Sequence, residues 1–124
     1  MNSHTHEYVL VPGEDASQIP LIMLHGSDGS EVDLVPLAQR LTPGGTHFGV
    51  RGTVRLPDGY AFFRRHYDRR IDEDDLRARV PGLAAFIRAR RADLGGVPPV
   101  AVGFSNGAIA TAALLMSRAD LLGG

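Results

Sequence analysis

Apolar and polar positions along the chain fall into short blocks whose periodicity alternates between strand and helix. Tyr8 to Val11 is β-prone and is closed by Pro12-Gly13, which predicts a first strand, placed at a sheet edge. Pro20-Leu-Ile-Met-Leu-His25 is a continuous apolar run without alternation, as expected of a strand covered on both faces by helices. Gly26 to Ser30 is then a loop. From Glu31 to Leu41 the apolar residues Val32, Val35, Leu37, Ala38 and Leu41 suit a short helix, with Glu31 and Asp33 complementing the dipole at its start. Pro43-Gly44-Gly45 ends that helix. His47 to Val50 predicts another strand, and Arg51 to Arg70 reads as a long loop containing a Pro57-Asp58-Gly59 turn.

Asp72 is placed to cap a helix whose first turn carries Glu73, Asp74 and Asp75 and whose apolar stripe is Leu76, Val80, Leu83, Ala84 and Ile87. Pro81 lies inside this pattern, so a kink there, or a helix that begins near it, is expected. After Gly95-Gly96, Val97 to Val102 predicts a second buried strand, and Asn106 to Arg118 a helix rich in alanine. This alternation implies parallel pairing with right-handed crossovers, hence an α/β class with a mostly parallel sheet.

Composition narrows the partners. The chain has 124 residues, 44% hydrophobic and 22% charged, which is ordinary for one globular domain. Thirteen basic and fourteen acidic side chains give a net charge of -1, without the positive field that nucleic acid requires. There is no cysteine, hence no disulfide and no thiol nucleophile. The longest apolar run, Leu21 to Leu24, cannot span a bilayer, and MNSHTHEY lacks the features of a signal peptide, so a cytoplasmic location is expected. His4 and His6 have no acidic cluster nearby, and no metal site or cofactor is expected.

Chemistry concentrates in GFSNG, Gly103 to Gly107, which fits the GxSxG nucleophile elbow. The pattern needs a sharp turn from the end of a buried strand into a helix, with glycines where the backbones approach, and the flanking segments supply both elements. Ser105 is therefore the candidate nucleophile. Acyl transfer also needs two backbone N-H donors facing the developing oxyanion, one after the nucleophile and one in a loop after an earlier strand. Asn106 and Ser27, the latter in HGSDGS after Gly26, occupy those places. The alternative is a non-catalytic α/β module in which Ser105 caps the helix and an anion or small molecule binds at its N-terminus.

LIMLHGSDGS, VRG at Val50 to Gly52, YAFFRR at Tyr60 to Arg65, IDEDDL at Ile71 to Leu76 and VAVGFSNGA together resemble the small bacterial phospholipase/carboxylesterase branch of the α/β-hydrolases. The resemblance implies residues 1–124 as the N-terminal part of a single α/β-hydrolase domain, its C-terminal strands missing. It implies a carboxylic-ester substrate, Ser105 as nucleophile, the Ser27 and Asn106 amides as oxyanion hole, and His25 as a residue that shapes the loop. The fold places the triad acid and then the histidine after the serine. Here only Asp120 follows Ser105, and all five histidines, His4, His6, His25, His47 and His66, precede it. The chain alone is thus expected to be nearly inactive, and its elbow strand to leave an open edge prone to self-association. The arginines at 64, 65, 69 and 70, with His66, are expected on a solvated loop.

Overall fold

A computed structural model describes residues 6–124, so His4 of the His4/His6 pair lies outside it. Strands β1 (Tyr8–Val11), β2 (Leu21–Leu24), β3 (His47–Val50) and β6 (Val100–Gly103) form one sheet in the order β1-β3-β2-β6. β2 runs parallel to both β3 and β6, and β1 pairs antiparallel with β3 at the edge. The mostly parallel α/β sheet expected from the alternation is present.

Each face of the sheet has its own cover. Ile22, Leu24, Phe48 and Val50 point to one face and pack with Leu83, Phe86 and Ile87 of α2 (Glu73–Asp93) and with Ala110 and Leu114 of α3 (Asn106–Arg118). Leu21 and Met23 point to the other face and meet Ala38 of α1 (Val35–Leu41). Successive strand residues alternate sides, so covering both faces buries all four positions of β2. β6 was expected to be as deeply buried, yet all four of its residues are half-buried because it is the end strand of the sheet. Part of its outer edge is nonetheless covered: Gly123 N-H donates to Pro99 O (2.9 Å) and Ala101 N-H to Gly124 O (2.7 Å). The expectation of a wholly open edge is corrected to that extent.

Three local expectations are revised. The first helix begins at Val35 rather than Glu31; residues 31–34 are turn, and Pro36 sits in the first helical turn, where its missing N-H costs nothing. Helix α2 runs unbroken through Pro81 from an Asp72 cap, whose carboxylate accepts the Asp75 N-H at 3.0 Å. Apolar anchorage on both sides of the proline, Leu76 and Val80 before it and Leu83 and Ala84 after it, offsets the lost hydrogen bond. The stretch expected to be a loop contains a hairpin, β4 (Val54–Leu56) and β5 (Gly59–Ala61), closed by the Pro57-Asp58 turn. Among the described residues no helix is long and apolar enough to cross a membrane.

His6 lies against Phe62 and Phe86, with ring centroids 6.3 and 5.4 Å away. Burial, aided by the Arg79 charge, pushes its pKa from 6.5 down to about 4. A folded pKa below the unfolded one means that the unfolded chain takes up the proton first. The stability from neutral His6 is therefore complete above about pH 6.5 and is lost as pH falls through about 4. Urea titrations should show stability dropping over that window, the His6 share being at most about 3 kcal/mol, and His6→Phe should flatten its upper part. For the core, Leu114→Ala should cost about 2–5 kcal/mol, whereas Met116→Ala, at an 89% exposed site on the same helix, should stay within about 0.5 kcal/mol.

Candidate active site

The link between β6 and α3 is Phe104 and a strained Ser105. Ser105 has φ 53° and ψ -112°, is exposed, and makes no side-chain capping bond to α3. A non-glycine residue at such angles costs about 1–3 kcal/mol and persists only where the surroundings impose it. The surroundings here are backbone. A Cβ on Gly107 would lie 2.1 Å from the Leu24 carbonyl oxygen, and one on Gly103 would lie 2.8 Å from Ala108 Cα, so neither position admits a side chain. Phe104 N-H donates to Leu24 O (3.0 Å) and Gly107 N-H to Phe104 O (2.9 Å), fixing the chain on both sides of the serine. Asn106, the first residue of α3, carries one of the amides that no helical carbonyl can accept from.

The glycine-rich loop after β2 lies against this elbow. A Cβ on Gly26 would come within 2.9 Å of the Phe104 ring. Gly29 N-H donates to Gly26 O (3.1 Å), with Asp28 at φ 66°, which closes a turn around the exposed Ser27. The hairpin braces the turn from outside, as Tyr60 N-H donates to Gly29 O at 2.9 Å. His25 braces it from inside. Its ring is 1% exposed, packs 4.8 Å from the Phe62 ring, and holds the Gly26 carbonyl at 2.6 Å and the Gly52 N-H at 3.0 Å. Burial lowers its pKa, more than the Gly26 carbonyl, Asp33 and Glu31 raise it.

Two anchors escaped the sequence reading. The Asn106 side chain, fully buried, accepts the Phe62 N-H at 2.7 Å and donates to Phe63 O at 3.4 Å, tying the segment after β5 to the start of α3. Glu31, assigned from sequence to the helix dipole, instead forms a bidentate pair with Arg51 (2.9 and 2.7 Å), whose guanidinium sits 4.5 Å above the Tyr60 ring. The hydrogen bonds between them lower the Glu31 pKa and raise that of Arg51. The sequence signals are a polar residue ahead of a run of small apolar ones at Asn106 and a charge directly after β3 at Arg51; neither names its partner.

Asp120 and His47 stay apart from Ser105. Asp120 follows the far end of α3, about 20 Å along a thirteen-residue helix, and is paired with Arg118 at 3.1 Å. His47 stands at the opposite end of β3, opposite Leu21 rather than Leu24, and bonds Thr42 Oγ1 at 2.8 Å. His66 and the arginines at 64, 65, 69 and 70 are exposed on the loop before α2, where Arg70 pairs with Asp68 at 2.7 Å. Among the described residues no three His, Cys, Asp or Glu side chains gather as a metal site. Asn106→Ala should cost about 1–3 kcal/mol in a urea titration, because the Phe62 N-H would be left buried and unpaired. Gly107→Ala should be more damaging still, since the contact it creates is with rigid backbone.

No family model matches the chain. It is 38% identical over 108 residues to MhqD of Bacillus subtilis (strain 168), a hydrolase by name, across 84% of this chain and 53% of that protein. The crystal structure of Bacillus cereus carboxylesterase superposes with a TM-score of 0.87 at 34% identity, over 96% of this chain and 57% of the other. A carboxylesterase from Mesorhizobium loti gives a TM-score of 0.86 at 28% identity, over 98% and 59% respectively. The chain thus spans somewhat more than half the length of these relatives. Likeness in sequence and in fold converge: the chain carries part of the α/β-hydrolase fold and is similar to a fragment of the carboxylesterases among these relatives.

Proposed function

We propose that Ser105 is the nucleophile of a serine hydrolase acting on carboxylic esters, with the Ser27 and Asn106 amides as its oxyanion hole. The observation that carries this reading is the strained, uncapped, exposed Ser105 held between two glycines whose Cβ positions are filled by backbone. Its Oγ attacks the ester carbonyl carbon, and the carbonyl electron pair moves onto oxygen, where the two amides receive the charge. Collapse of this intermediate expels the alcohol and leaves an acyl-enzyme, which water cleaves to the carboxylic acid and free Ser105. Losing one oxyanion donor in such a site typically costs about 3 kcal/mol of transition-state stabilisation. The relatives' carboxylesterase names support the ester as substrate class.

The serine proton needs an acceptor, and neither His25 nor His47 is placed to be one. His25 has both ring nitrogens engaged, and no histidine follows Ser105. In this reading residues 6–124 contribute the nucleophile, the oxyanion donors and their scaffold. A fluorophosphonate probe followed by peptide mass spectrometry tests the reading. The protein extended to the length of its relatives should be labelled on Ser105, and Ser105→Ala should abolish labelling. The 124-residue chain should label roughly 1000-fold more slowly or less. A folded extended protein that takes no label, or takes it elsewhere, overturns the proposal and favours a non-catalytic anion site at the start of α3.

A further inference from the structure

The exposed turn at residues 64–71 carries Arg64, Arg65, Arg69 and Arg70, and the acids Asp72 to Asp75 follow it in sequence. Those acids do not neutralise the arginines. Asp72 accepts the Asp75 N-H at 3.0 Å as the cap of α2, Asp74 pairs with Arg77 at 3.5 Å, and Asp75 pairs with Arg79 at 2.8 Å. Asp68, inside the turn, takes Arg70 at 2.7 Å. Among the described residues no ion pair involves Arg64, Arg65 or Arg69, so their guanidinium groups are left without a carboxylate partner.

The turn is rooted beside the elbow. Asn106, the residue after Ser105, holds the Phe62 N-H at 2.7 Å and the Phe63 carbonyl at 3.4 Å, and Arg64 follows directly. This run of bonds keeps the Arg64 Cα within about 13 Å of the Ser105 Cα. The Arg64 N-H donates to the Asp75 carboxylate at 2.7 Å and the Arg64 carbonyl accepts the Asp72 N-H at 3.2 Å, which fixes the base of the turn to α2. Arg65 lies 5.8 Å over the Phe63 ring and donates from Nη1 to the Arg69 carbonyl at 3.0 Å. Arg69 has φ 74°; among the described residues the other non-glycine residues at positive φ are Asp28 and Ser105, both in the proposed site. A glycine would hold that angle without strain. Among the described residues the Arg69 side chain has no hydrogen-bond or ion-pair partner, so local stability does not account for an arginine there, and strain of this kind gathers where a group is used.

We propose that Arg64, Arg65 and Arg69 form an anion-binding turn that takes an oxyanionic group, carboxylate or phosphate, at the end of the substrate remote from the reacting ester. The guanidinium fork matches the paired oxygens of such a group. Like charges gathered at one point of a chain whose net charge is -1 also raise the local concentration of an anion beside Ser105. The selection of anionic esters rests on the reading of Ser105 as nucleophile; the anion site itself does not.

Nuclear magnetic resonance on the isotopically labelled chain tests the site without turnover, by titration at low salt with adipate, with inorganic phosphate and with neutral hexanamide. Saturable shifts of the backbone and guanidinium N-H groups of residues 64–70 are expected with the anions and not with hexanamide, and the double variant Arg64→Gln/Arg69→Gln should weaken binding about tenfold; the tighter anion names the group. Absent shifts, or binding unaltered in the double variant, overturn the proposal. Kinetics on the protein extended to the length of its relatives test the selection. The ratio of kcat/KM for the mono-4-nitrophenyl ester of adipic acid to that for 4-nitrophenyl hexanoate should fall about tenfold in Arg64→Gln/Arg69→Gln and shrink as salt rises. The equal charge change Arg40→Gln/Arg88→Gln, at exposed positions on α1 and α2, should leave the ratio in place; an equal fall there marks a net-charge effect and contradicts the selection. Arg69→Gly should keep or raise Tm while lowering the ratio, and a lowered Tm with the ratio kept would make Arg69 structural. If the extended protein cleaves neither ester, the reading of Ser105 fails and the titration alone decides the anion site.

Discussion

The end of β2 and the start of α3 touch through backbone alone. The Leu24 carbonyl receives the Phe104 N-H and also occupies the space that a side chain at Gly107 would need. Because that carbonyl caps β2, the loop it leads into, His25 to Ser30, starts at the point where the helix carrying Asn106 starts. Two loops distant in sequence are thereby held against each other, and Ser105 has no room to relax from its strained angles. The parallel register that pairs Leu24 with both Val50 and Gly103 brings this about, since it delivers three strand ends to one edge of the sheet.

A second layer of polar contacts makes that meeting point rigid. Asn106 and His25 are both buried, and each uses its side chain to hold backbone: Phe62 and Phe63 in one case, Gly26 and Gly52 in the other. The Arg51–Glu31 pair, with Arg51 over Tyr60, clamps the hairpin whose Tyr60 amide supports Gly29. Partly shielded and bidentate, this pair is of the kind that fixes geometry rather than adding much net stability. These contacts converge on the loop after β2 and the start of α3, so the strain at Ser105 is supported by many satisfied groups.

The sheet and the tight turn from β6 into α3 were legible in the sequence because their signals are local. An unbroken apolar run at Leu21 to Leu24 permits little but a buried strand, and glycines two positions either side of Ser105 announce backbone contact. Elements depending on distant partners were not legible. Glu31 looks like a helix-start acid until Arg51 stands beside it, and Asn106 looks like a helix-start amide until Phe62 is brought to its side chain. Val54 to Ala61 was hidden for a related reason: its strands are three residues each, too short for alternation to register, although the Asp58-Gly59 step marks the turn. Pro81 misled in the opposite direction, since a local rule against proline within helices yielded to apolar packing on both sides of it.

A structure of the Ser105 phosphonate adduct examines the central claim most directly. The phosphoryl oxygen should lie about 2.7–3.1 Å from both the Ser27 and Asn106 amide nitrogens, with Ser105 still at positive φ. An adduct whose oxygen faces solvent, or meets only one of these amides, would contradict the assignment of the two loops as one oxyanion site.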